Sequence, residues 1–396
     1  MPHSALTSHA LDIVIIGAGI GGLSAAIALQ QSGHRVRLFD RVPQLTPAGA
    51  AISIWPNGVN VLEKLGLGAA IKAVSGEMVA MSYSSQAGDL LTRFSLQPLY
   101  DTVDQRACPI ARTALQQILL AGCGEQNVTL GVTCEGVEAD ADGVSVTFSD
   151  GQQITADLVV AADGTHSRLR NYVAGQDVAR EYCGYVNWNG RIDAAEDLAP
   201  ANEWTQFVGD HKRVSLMPMG NGQLYFFFDV PLAAGSPNQR ENYREELRSH
   251  FSGWAAPVQR LIERLDPAIV SRVEIHDMAP IPSFVKGRVV LLGDAAHPMA
   301  PDLGQGGCQA MEDAWVLARC LAHDADDLGT ALTHYDAARA ERTAQIMQRA
   351  RARAQVTHGG DPVQTQAWYQ ELAEETGERV IAGLVKTAIG GGDWLV

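Results

Sequence analysis

The sequence predicts a two-part α/β fold: a discontinuous domain on a parallel sheet, an inserted mainly antiparallel sheet, and C-terminal helices. Three observations lead there. A β-branched run enters a glycine-rich turn and then a helix between residues 11 and 31. Two later apolar strands end on Asp163-Gly164 and Gly293-Asp294. Between those two strands lies an aromatic block with strand patterning, residues 182–230. Nucleotide-type strand–turn signals at the start, the middle and near the end, interrupted by a sheet block, fit an insertion better than two sequential domains.

The first of these stretches is the most informative. Ile13 to Ile16 reads as a buried parallel strand. Gly17, Gly19 and Gly22 follow in G-x-G-x-x-G spacing, and Ser24 to Gln31 reads as a helix that Gly33 stops. The first glycine permits a tight turn, the second lets a pyrophosphate approach the backbone, and the third lets helix and strand pack closely. The helix N-terminus offers free N–H groups and a positive dipole end to phosphates. Arg35 to Phe39 reads as the next strand, ended by Asp40 about 20 residues after the glycines, where an acid hydrogen-bonds an adenosine ribose. The competing reading is a turn that only packs a helix, with Asp40 as a solvated strand end. Strand, glycines, helix, strand and acid together favour a Rossmann-like dinucleotide site, without saying which dinucleotide.

Composition sets the outer bounds. With 396 residues and 46% hydrophobic content the chain can bury a large core and form two domains. A net charge of -15 argues against a nucleic-acid partner. The six cysteines form no C-x-x-C pair, which suits reduced thiols in the cytoplasm rather than disulfides or a metal site. Ile13 to Leu29 is apolar enough to mimic a membrane span or signal peptide, but its glycines and the lack of a basic flank argue against both. The expectation is a soluble protein with a short disordered start, Met1 to His9.

Further along, Asn57–Leu65 and Arg112–Ala121 read as helices, residues 77–95 as irregular strands, and Val128–Val160 as short strands with hairpin signals at Asp142-Gly143 and Asp150-Gly151. Residues 241–265 look helical, as do Glu312–Ala322 and Leu332–Ala354. Pro362–Ile389 reads as an amphipathic helical pair with Trp368 and Leu372 on its apolar faces.

Three motifs now stand in order: G-A-G-I-G-G at 17–22, D-G-T-H-S-R-L-R at 163–170 and G-D-A-A-H-P at 293–298. Together they resemble the single-component, class A flavoprotein aromatic hydroxylases, the para-hydroxybenzoate hydroxylase-like family, over almost the whole chain. The resemblance implies FAD, with its ADP half on Gly17, Gly19, Gly22 and Asp40 and with Arg41 and Ser53 beside it. It implies Arg112 near the pyrophosphate, Asp163 serving FAD and the nicotinamide, and Asp294 on the ribityl chain. Gly304, Gln305, Gly306 and Gly307 would open a helix that points at the flavin ring, where its dipole favours negative charge. His297 matches no general base and reads as structural; Pro298 and Pro301 represent the loop at the ring. Segments 1–75, 106–178 and 281–355 would then form the FAD domain. Segments 76–105 and 179–280 would form the substrate sheet, and 356–396 a C-terminal helical segment.

Further stretches narrow the resemblance to the urate-hydroxylating members of that family. They are Y-C-G-Y-V-N-W-N-G (182–190), K-R-V-S-L-M-P (212–218), L-Y-F-F-F-D-V-P (224–231), P-D-L-G-Q-G-G (301–307), T-H-G (357–359) and A-W-Y-Q-E-L-A-E-E-T-G-E-R (367–379). The last has no catalytic role that chemistry supplies. The implied reaction uses NADH, or NADPH, and O₂ to hydroxylate urate at C5 through a flavin C4a-hydroperoxide, giving 5-hydroxyisourate. Arg213 is the expected anion partner, because a planar guanidinium can grip the rim of a flat anion in bidentate fashion. Tyr225 is expected beside it as a hydrogen-bonding partner, and Asn187 as a donor and acceptor for the rim. By residue type alone, Arg213 reads sooner as a strand-end ion pair and Tyr225 as a core aromatic, and Asn187 also suits a strand polar residue or turn former; the resemblance reverses the order for Arg213. A related hydroxylase acting on another anionic aromatic, such as a hydroxybenzoate, remains open. So does a non-catalytic flavin-binding redox sensor.

One stereochemical expectation can be checked directly. Side chains alternate faces along a strand, so a two-residue Asn221-Gly222 turn would put Arg213 and Tyr225 on opposite faces. A three-residue loop, Gly220-Asn221-Gly222, puts them on the same face, and glycine suits its left-handed position. We expect the three-residue, or a five-residue, loop.

Overall fold

The computed structural model describes residues 10–45, 49–140, 142–390 and 392; Met1 to His9, expected to be disordered, lie outside them. The α/β architecture is as expected. One sheet has six strands in the order Val285–Lys286, Val289–Leu291, Leu158–Ala161, Asp12–Ile16, Arg35–Asp40, Val128–Leu130. Its interior pairings are parallel, and Ile13–Ile16 and Leu158–Ala161 are almost completely buried, which is why both read as unbroken apolar runs. The helix after the glycines starts at Ile20, four residues before the pattern suggested, because Gly21 and Gly22 are themselves helical.

The second sheet has seven strands in the order Ser271–Asp277, Glu181–Asp193, Gln223–Pro231, Lys212–Met219, Glu203–Gly209, Ala80–Ser85, Leu90–Ser95. It is antiparallel except where Glu203–Gly209 runs parallel to Ala80–Ser85. One face carries Val214, Leu216, Phe226 and Phe228 into a second core. That core is closed by helices Tyr243–His250 and Ala256–Arg264. The pattern suggested one helix here; Gly253 at φ +76° and Pro257 in the next first turn divide it into two.

The other face of this sheet carries polar and charged residues among a few apolar ones. Met219 pairs with Gln223, so the connecting loop is Gly220-Asn221-Gly222, three residues, with Asn221 and Gly222 at positive φ. Arg213, Tyr225 and Asn187 therefore share one face. Helix Gly306–His323 runs away from that region, and the 31-residue helix Leu328–His358 returns to it. Helices Pro362–Glu374 and Glu378–Ile389 finish the chain as the expected pair. Among the described residues no helix is long and apolar enough to cross a membrane.

Candidate active site

The glycine turn has the geometry its spacing implies. Gly17 sits at φ +108°, and a Cβ there would lie 2.2 Å from the Ala162 carbonyl oxygen. A Cβ on Gly22 would lie 1.8 Å from the Gly17 oxygen. Gly19 faces open space, with no atom of the described residues within 4 Å of an added Cβ. So two of the glycines close the turn and the third leaves a cradle. Asp40 braces it: Oδ2 accepts from the Ala18 N–H at 2.6 Å and Oδ1 from Val42 N–H at 3.0 Å. Arg41 follows, exposed.

Across the cradle, Asp163 ends its parallel strand. Its Oδ2 accepts from Arg168 N–H at 3.0 Å, while Oδ1 is buried with no hydrogen-bond partner among the described residues. Arg170, which the sequence reading did not single out, joins this motif to the next. Its buried guanidinium donates to the carbonyls of Thr165, Asp294 and Ala295, the last two at 2.7 Å each. Asp294 itself is exposed, and a Cβ on Gly306 would lie 3.8 Å from its Oδ1. Arg112 heads its helix and donates from Nε to Ala51 O at 3.3 Å. Ser53 and Trp55 crowd Gly304, where a Cβ would sit 3.0 and 2.7 Å from their polar atoms.

Helix Gly306–His323 begins with Gln305 as N-cap and no side-chain cap, so its first N–H groups remain available. Gln305 is held by Asn57, whose Nδ2 donates to Gln305 Oε1 at 2.9 Å and to Glu312 Oε1 at 2.7 Å. Behind this lies a buried ionic network. Arg339 reaches Glu312 at 2.8 Å and Asp313 at 2.6 Å, and Asp313 Oδ2 accepts from Gly293 N–H at 2.8 Å. Burial works to raise the Asp313 carboxyl, but His297 at 2.6 Å and Arg339 bring it down to about 2. His297 thus braces the loop, in keeping with its structural reading.

The Arg213 side chain is buried and forks between two carboxylates. Nε donates to Asp229 Oδ2 at 2.9 Å and Nη2 to Asp302 Oδ1 at 3.0 Å, with Nη2 also 2.8 Å from Asp229. Nη1 is committed to neither. Burial opposes the charge on Arg213, and the two carboxylates more than restore it. Asp302 sits two residues before Gly304, so Arg213 is fastened to the glycine loop. Tyr185 donates to the second Asp302 oxygen at 2.5 Å. Arg213 also lies 5.2 Å over the Phe227 ring, and Phe227 lies 5.7 Å from Tyr225, so the three stack along one face. Burial pushes the Tyr225 phenol up to about 12. Asn187 is on this face but engaged: Nδ2 donates to Asp229 Oδ1 at 2.6 Å and Oδ1 accepts from Asn189 Nδ2 at 2.8 Å. It braces Asp229 rather than standing open.

Sequence reasoning quoted Asp229, Asp302 and Tyr185 inside its motifs but gave them no role. Asp229 was within reach, since a three-residue loop pairs Arg213 with residue 229 by register alone. The others stand far along the chain, and no periodicity connects them.

Comparison with known proteins adds to this geometry. The family described as FAD binding domain matches residues 10–350. The chain is 49% identical over 382 residues, 96% of its length and 99% of the relative's, to an FAD-dependent urate hydroxylase of Klebsiella pneumoniae. It is 47% identical over 384 residues, covering 96% and 97%, to an FAD-dependent urate hydroxylase of Mycolicibacterium vanbaalenii. A crystal structure of Klebsiella pneumoniae HpxO complexed with FAD and uric acid superposes with a TM-score of 0.94, at 47% identity and over 98% of each chain.

Proposed function

Since the chain belongs to the FAD binding domain family, we propose that it works as an FAD-dependent urate hydroxylase, turning urate, O₂, NADH and a proton into 5-hydroxyisourate, water and NAD⁺. The observation that carries this reading is the bond from Arg213 to Asp302. It fastens a buried guanidinium of the substrate sheet to the turn that precedes Gly304.

The residues present fit the cofactor. The open cradle at Gly19, the unpartnered Asp163 Oδ1 and the uncapped helix at Gly306 supply space, an acceptor and free donors. Gly17, Gly19, Gly22 and Asp40 would hold the ADP half, Arg112 and Asp163 its middle, and Asp294 the ribityl chain, with Arg41 and Ser53 alongside. Once bound, FAD supplies hydride acceptance from NADH and the activation of O₂. The chain must do the rest. Backbone N–H groups of Gly306 and Gly307, with the dipole of an 18-residue helix, would favour negative charge on a ring bound before them. Arg213 Nη1 would face the rim of the urate anion, and the neutral Tyr225 hydroxyl would hydrogen-bond beside it. Phe227 and Met217 share that face and would limit water around a bound substrate. A cytoplasmic setting suits the six unpaired cysteines.

The test is a steady-state assay of the purified yellow protein. NADH and NADPH consumption is followed with and without urate, together with the loss of urate absorbance. Urate-stimulated oxidation with loss of urate supports the reading. Stimulation by hydroxybenzoates alone replaces the substrate, and a protein without a flavin spectrum removes the enzyme.

A further inference from the structure

Thr357-His358-Gly359 ends the long helix, and nothing above gives it a role. The structure puts the His358 ring beside the two carboxylates that hold Arg213. Its Nε2 lies 3.6 Å from Asp229 Oδ2 and 3.6 Å from Asp302 Oδ1, buried and without a hydrogen-bond partner among the described residues. Its Nδ1 lies 3.0 Å from the His211 carbonyl oxygen. That carbonyl belongs to a two-residue turn, Asp210-His211, with both residues at positive φ. Helix Pro362–Glu374 holds the turn: Thr365 Oγ1 lies 3.1 Å from His211 Nδ1, and His211 N–H donates to the Tyr369 hydroxyl at 3.2 Å. The ring of His358 stacks 4.2 Å from Tyr185.

Both nitrogens of His358 therefore face acceptors only. A carbonyl accepts at Nδ1, and two carboxylates lie before Nε2. A neutral imidazole would turn a lone pair toward one or the other. Charge counting shows what this does. Asp229 and Asp302 are two buried anions, and Arg213 is one cation. Those three alone carry net negative charge, which repels an anionic substrate. Tyr185 adds no charge, because burial raises its phenol well above the ordinary value. Asp210, Lys212 and Asp361 line the outer cleft beside His358. The other basic side chain before both carboxylates is His358.

Resting on the urate reading, we infer that His358 is a positioning residue for the anionic substrate: doubly protonated, it balances the second buried carboxylate and leaves Arg213 Nη1 able to bind the urate anion. His358 does not touch urate; it acts through Asp229, Asp302 and Arg213.

The experiment measures the urate Kd of the FAD-loaded enzyme, read from flavin absorbance, from about pH 6 to about pH 9, which spans histidine titration while urate keeps one charge. Wild type should bind roughly tenfold more weakly at the alkaline end, as ~1.4 kcal/mol of lost attraction implies. His358→Gln should bind weakly at every pH, with a flat profile. A wild-type profile that stays flat overturns the inference, as does a His358→Gln enzyme with wild-type Kd and slope. If His358→Gln does not retain FAD, the wild-type profile decides alone. An FAD-loaded wild type that neither binds urate nor oxidises NADH faster in its presence removes the urate reading itself. Urate-stimulated oxidation with a flat profile removes only His358.

Discussion

Asp302 Oδ1 lies 3.0 Å from Arg213 Nη2, although 89 residues separate them. One belongs to the turn before the flavin-loop glycines and the other to a strand of the seven-stranded sheet. Through this contact the two halves of the molecule share one site, and Asp302 fixes how far the guanidinium stands from the loop.

Arg213→Gln should therefore act on catalysis and on the cage together. Loss of the planar charged contact should lower kcat/KM for urate by about 2–4 kcal/mol of transition-state stabilisation. The substitution also leaves Asp229 and Asp302 buried with one cation fewer, which costs folding stability. FAD content, set by a different surface, should stay near wild type. Flavin absorbance per protein and urate kinetics on the same preparation check this, and unchanged efficiency would remove Arg213 from its role.

The glycine turn makes a sharper pair of predictions. Gly22→Ala would force a Cβ to within 1.8 Å of the Gly17 oxygen, so the helix must move off the strand. Both thermal stability and FAD content should fall. Gly19→Ala meets nothing within 4 Å among the described residues, so the apo-protein should keep its Tm. The methyl group would project into the cradle, and FAD should bind more weakly. Apo-protein melting and FAD titration separate the two variants. A Gly19→Ala protein with wild-type FAD affinity would show that the pyrophosphate lies elsewhere.

These contrasts also show what could be read beforehand. Local rules carried the turn at Gly17–Gly22 and the shared face of Arg213 and Tyr225, because strand alternation and loop length are written in neighbouring residues. The helix break near Gly253 was missed because apolar spacing continues across it. Asp302, Tyr185, His358 and Arg170 were missed for another reason. Each stands inside a motif that carries the resemblance, but its contact is fixed only when distant segments pack. Asn187 shows the converse: its type suited a ligand, but Asp229 and Asn189 had already taken its amide.

Tyr225 offers a test by pH. Burial raises its phenol to about 12, so the neutral, hydrogen-donating form persists through the working range. Tyr225→Phe removes the donor without changing charge and should lower kcat/KM for urate roughly tenfold, as loss of one neutral hydrogen bond implies. The two enzymes should share the shape of their pH profiles up to about pH 10, because Tyr225 does not titrate there. A basic limb present in wild type and missing in Tyr225→Phe would assign the phenol a lower pKa and a different role.

The network behind the flavin loop sets the acid limit. Asp313 falls from its ordinary 3.8 to about 2, against its burial, because His297 and Arg339 stabilise the charged form. A carboxyl depressed in the folded state adds stability that is complete above its unfolded value and is lost as pH falls through the folded one. Glu312 shifts in the same direction, with Arg339 and Arg342 overcoming burial. Stability should accordingly hold down to about pH 5 and then fall steeply toward pH 2. Asp313→Asn should flatten that slope and lower stability at neutral pH by about 3–5 kcal/mol, since Arg339 loses a buried partner. Because Asp313 also accepts from Gly293 N–H, the same variant should bind FAD less tightly. Urea unfolding at a series of pH values, with FAD titration alongside, checks both. An Asp313→Asn protein with the wild-type acid slope would place the limiting carboxylate elsewhere, with the Arg213 cage the next place to look.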